Sequence, residues 1–131
     1  MALQITLLKA ANLKLADIIG ADERGMTCLR VSYPGCPAPG FLQSHTLFIE
    51  TADQSFANQD VRLTIDARMD PITFEICDKD PKRSSAAMGK GTVSLQELNA
   101  ALNGNFNKWV QLSKKNGGGY AGELCIRVTR A

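Results

Sequence analysis

Apolar side chains at every second residue are the feature that most restricts what this chain can become. In "LQITL", Leu3, Ile5 and Leu7 alternate with Gln4 and Thr6. In "ITFEI", Ile72, Phe74 and Ile76 alternate with Thr73 and Glu75. In "LCIRV", Leu124, Ile126 and Val128 alternate with Cys125 and Arg127. A period of two buries one face of a strand and wets the other, the habit of antiparallel sheets. The pattern predicts eight strands, near 3–10, 27–33, 45–50, 60–65, 72–77, 89–94, 107–112 and 122–129. Breakers separate them: "PGCPAPG" at 34–40 cannot continue a strand, and "NGGGYAG" at 116–122 reads as a flexible hairpin connection.

One helix interrupts the strands. In "SLQELNAALNG", Ser94 is followed three residues later by Glu97, the spacing of a capping box. Leu95, Leu98 and Leu102 share a face, so a short helix is expected near 95–102, with Gly104 as its stop. An eight-stranded antiparallel β-sandwich with this one helix is the predicted fold, built as a single domain over 1–131. A chain of 131 residues with 44% hydrophobic side chains can bury a core without disulfides or a structural metal.

Composition excludes several functions. A net charge of +2 is too small to mark a nucleic-acid binder. Cys28, Cys36, Cys77 and Cys125 are widely spaced, unlike zinc ligands, and read as free thiols of a reducing compartment. "MALQITLLKA" lacks the basic start and long apolar core of a signal peptide. No apolar run approaches the roughly 20 residues that span a bilayer. His45 is the one histidine, and no nucleophile–base pair can be assembled around it, so the chain is expected not to be an enzyme.

Chemistry concentrates in two acidic stretches. Asp78 and Asp80 leave the end of a strand in "ICDKDPKRSS". An EF-hand loop would need an oxygen ligand and then glycine where Lys82 and Arg83 stand, so that motif fails. A second stretch, "LKLADIIGADERG", carries Asp17, Asp22 and Glu23 after the first strand. Calcium takes six to eight oxygen ligands, and two acidic loops at one end of a sandwich can share it.

With these residues in place the chain resembles the C2 domain family, the β-sandwich that docks peripheral proteins on membranes. The resemblance runs through nearly the whole chain. "LQITLLKAANLKLAD" is similar to the family's first strand and first calcium-loop aspartate, and "DIIGADE" to the step that follows. "SFANQDVRLTI", "ITFEICDKD", "MGKGTVSLQEL", "KWVQL" and "GELCIRV" resemble later family motifs in the same order. One strand before the first acidic loop and a full strand after "NGGGYAG" resemble the permuted topology of phospholipase C and novel protein kinases C.

The resemblance implies a partial calcium site. Asp17 stands at the first-loop aspartate, and Asp78 and Asp80 at the third-loop pair. Where the family has the aspartate of "D-P-Y", this chain has Glu23, with Asp22 one residue early. The last aspartate is replaced by Ala86, with Ser84 and Ser85 nearby. The implied activity is weak or partial calcium-dependent binding of an anionic phospholipid surface through loops 17–25 and 78–88, in a cytoplasmic, peripheral-membrane setting. Ile18 and Ile19 would enter the lipid, and Lys79, Lys82 and Arg83 would face its charge. The lysine-rich concave strand that some relatives use for lipid has no counterpart in "CLRVSY" or "HTLFIE". The other reading is a calcium-independent protein-interaction or scaffold domain. Either would act as a monomer or as one module of a larger protein.

Overall fold

The computed structural model describes residues 2–13, 25–36, 43–49, 51–78, 87–114 and 119–131. Among them are nine strands: β1 (Leu3–Ala11), β2 (Gly25–Ser32), β3 (Gln43–Ile49), β4 (Gln54–Ser55), β5 (Arg62–Ile65), β6 (Ile72–Asp78), β7 (Ala87–Val93), β8 (Asn107–Lys114) and β9 (Tyr120–Arg130). The helix α1 spans Leu95–Leu102. All eight predicted strands are present with shifted ends. The addition is β4, two residues that pair with β1 through Lys9–Ser55 and Ala10–Gln54.

Every pairing is antiparallel, in the order β3-β2-β6-β7-β8-β9-β1-β4, with β5 also on β1. The link between β7 and β8 is short, Gly89 to Lys114 and Lys90 to Ser113. It joins two layers whose alternating residues meet in one core. Leu29, Val31, Leu47, Ile49, Phe74 and Ile76 come from one layer. Ile5, Leu7, Leu63, Val110, Ile126 and Val128 come from the other. This is the predicted sandwich, and β1 leads directly into the connection before β2, as the permuted topology requires.

The layers approach closely at Gly91. A Cβ there would lie 2.3 Å from the Gln111 carbonyl oxygen and 2.9 Å from Val110 Cγ1. The absent side chain is what lets β7 pass over β8.

The helix begins as predicted. The Ser94 hydroxyl accepts the Glu97 N–H at 3.1 Å, and the Glu97 carboxylate accepts the Ser94 N–H at 2.9 Å. Asp70 Oδ1 accepts the Leu95 N–H at 2.8 Å, satisfying a further free donor of the first turn. The helix also stops where expected, just before Gly104. Asn103 caps the helix in a right-handed conformation, and Gly104 follows without a left-handed turn. The Gly104 and Phe106 N–H groups both reach the Ala101 carbonyl, and Phe106 itself takes the left-handed conformation at φ 68°.

Trp109 lies on the outward face of β8 at 39% exposure, with Lys9 Nζ 5.5 Å from its ring centroid. Phe74 and Leu63 are core.

Candidate functional site

The end of the sandwich that carries the acidic stretches is fixed by strand register. β2 starts at Gly25 and β6 ends at Asp78, and Thr27 faces Asp78 across the pair. On the other side of β2, Gly25 faces Ile49, the last residue of β3. The connections 12–24, 50–53 and 79–86 therefore meet the same edge of this layer. Antiparallel pairing forces the outcome: where β2 begins, its neighbours β3 and β6 must end.

Hydrogen bonds hold the root of the first connection against the second. The Leu13 N–H donates to the Ala52 carbonyl at 3.0 Å, and the Asn12 N–H donates to Asp53 Oδ1 at 3.1 Å. The Thr51 hydroxyl donates to the Asp53 carbonyl at 2.6 Å. Asn12 adopts φ 56°, a left-handed turn that asparagine tolerates better than most residues. Its amide lies 3.5 Å from the Tyr120 hydroxyl, which donates to Glu123 Oε1 at 3.0 Å. Gly122, at φ 117°, lets the backbone of Leu13 pass overhead, since a Cβ would come within 2.9 Å of Leu13 Cα.

Sequence reasoning missed this supporting set. Asp53 and Thr51 sit in "ETADQS", an acid-bearing turn between strands, and that turn chemistry was the signal available. Gly122 stood inside a glycine-rich stretch and gave no sign that it packs against the first connection.

Of the residues singled out in the sequence, Asp78 has its backbone in the described part, as the last residue of β6. Its side chain lies outside the described residues. So do Asp17, Ile18, Ile19, Asp22, Glu23, Lys79, Asp80, Lys82, Arg83 and Ala86. Among the described residues, no three His, Cys, Asp or Glu side chains group to hold a metal ion.

The layer beneath this end has its own electrostatics. Arg30 and Glu75 face each other across β2 and β6, with an ion pair of 3.0 Å between half-buried side chains. Burial pushes the Cys77 thiol up, against the opposing pull of Arg30. Thr27 is fully buried at the root of β2. A shallow cleft of about 260 Å³ lies elsewhere, between α1 and β8, lined by Glu97, Lys108 and Trp109 among others. No helix among the described residues is long and apolar enough to cross a membrane.

No family model and no curated protein matches this sequence. Solved structures do. The chain superimposes on a C2 domain-containing protein with a TM-score of 0.63 at 16% identity, covering 100% of this chain and 88% of that one. It superimposes on the C2A domain of a plant extended synaptotagmin 1 with a TM-score of 0.60 at 13% identity, covering 98% of this chain and 92% of the other. At such identities the likeness is one of fold, and end to end that fold is the C2 domain.

Proposed function

We propose that the chain is a non-enzymatic membrane-targeting module that binds anionic phospholipid through loops 17–25 and 78–88, with weak or partial dependence on calcium. The observation that carries this reading is the shared edge, where Thr27 at the start of β2 faces Asp78 at the end of β6. Residues 14–24 and 79–86 run from that edge. Asp17, Asp78 and Asp80, helped by Glu23 or Asp22, supply hard carboxylate oxygens of the kind calcium prefers. Their mutual repulsion falls when a cation enters, and lipid headgroups complete its coordination. Because Ala86 brings no carboxylate, the affinity is modest. Full burial of Ile18 and Ile19 in lipid would contribute about 1.5–3 kcal/mol each. Lys79, Lys82 and Arg83 would add about 1 kcal/mol each near an anionic leaflet.

Glu23 and Ala86 favour a second reading, a calcium-independent protein-interaction domain. Co-sedimentation with phosphatidylserine vesicles, with calcium and with chelator, separates the two. More protein pelleting with calcium, lost when Asp78→Asn and Asp80→Asn are combined, supports the first. Absence of pelleting in both conditions supports the second.

A further inference from the structure

Cys28 and Cys77 face each other directly across β2 and β6. Residues opposed in an antiparallel pair share a face of the sheet and have Cα atoms roughly 4.5–5.5 Å apart. A disulfide accepts Cα separations of roughly 4.4–6.8 Å, so the backbone already meets that requirement. Cβ atoms of such pairs lie about 4.5–5.5 Å apart. A disulfide draws them to about 3.5–4.5 Å, a small approach that side-chain rotation and local strand adjustment can supply. That adjustment has a place to occur. The β6–β7 ladder shifts register between Ile76 and Cys77, so the pairing is already interrupted beside the thiol.

Both cysteines are free, and their exposures differ. Cys28 is half-buried, whereas Cys77 is 3% exposed. The other two cysteines occupy different places: Cys36 follows the turn after β2, and Cys125 lies in the opposite layer on β9. We infer that Cys28 and Cys77 are a redox-active dithiol, a modification site that closes to a cross-strand disulfide under a peroxide-class oxidant.

The chemistry balances in two steps. Hydrogen peroxide transfers one oxygen to the accessible Cys28 thiol, giving a sulfenic acid and one water. The Cys77 sulfur then attacks the Cys28 sulfur. The S–S bond forms, the S–O bond breaks, and the hydroxyl leaves as a second water with the proton from Cys77. Two thiols are oxidised and one peroxide is reduced.

Position gives the bond a consequence. Thr27 and Asp78 form the next register pair, so the disulfide would clamp β2 to β6 immediately below the connections 14–24 and 79–86. Assignment of the dithiol does not depend on what those connections bind.

The test uses the whole wild-type chain, treated with hydrogen peroxide, blocked with an alkylating reagent and mapped without reduction. The expected product is a monomer about 2 Da lighter than the reduced chain before blocking, with the Cys28 and Cys77 peptides joined in the map. Cys28→Ser and Cys77→Ser should each abolish that linkage, and Cys36→Ser should leave it intact. The wild-type map stands even if a variant folds poorly. A Cys28–Cys36 linkage would overturn the inference. So would Cys28 driven to sulfinic acid while Cys77 stays open to alkylation after unfolding.

Discussion

At the scale of single residues, stability depends on close fits that either tolerate or refuse one more carbon atom. Gly91 and Gly89 are two residues apart in β7 and make opposite predictions. A Cβ on Gly91 would meet the Gln111 backbone oxygen at 2.3 Å, and backbone cannot swing away like a side chain. A Cβ on Gly89 would find its nearest neighbour, Leu112 Cβ, at 3.7 Å, an ordinary contact. In urea denaturation Gly91→Ala should therefore cost about 1–3 kcal/mol. Gly89→Ala should stay within about 0.5 kcal/mol of wild type. Phe74, 1% exposed at the centre of the core, cannot be removed without leaving a cavity. Phe74→Ala should cost about 3–5 kcal/mol in the same measurement.

At the scale of elements, the helix shows what local sequence encodes. Ser94 and Glu97 form their reciprocal cap within four consecutive residues, so the start of α1 was legible. Ser94→Ala should destabilise the domain by about 1 kcal/mol, measured by thermal or urea unfolding. The end of α1 was legible in Gly104, which follows the Asn103 cap, whereas the return of the Phe106 N–H to the Ala101 carbonyl was not. Strands with one buried face were legible through alternation, as in β1 and β6. Strand β4 was not, since two residues carry no period and exist as a strand through pairing with β1. The acids at 17, 22, 23, 78 and 80 could be named from sequence, and Asp78 could be set at a strand end. That this end lies beside the start of β2 depends on pairing residues about fifty positions apart, which no local window contains. The facing of Cys28 and Cys77 was hidden for the same reason.

At the scale of the whole molecule, the sandwich turns a pairing pattern into a polar end. Its interior takes aliphatic and aromatic side chains from both layers, leaving charged connections to leave at the edges. One edge gathers 12–24, 50–53 and 79–86, and Asn12, Leu13, Ala52 and Asp53 tie the first two together at their roots. On the proposed function, 14–24 and 79–86 respond together to a cation as one site. Amide NMR of the labelled chain titrated with calcium tests it most directly. Amides in both connections, and those of Thr27 and Asp78 at their roots, should shift along one saturating curve. Asp78→Asn combined with Asp80→Asn should remove the response from both connections together. Shifts confined to one connection, or none up to millimolar calcium, would contradict it.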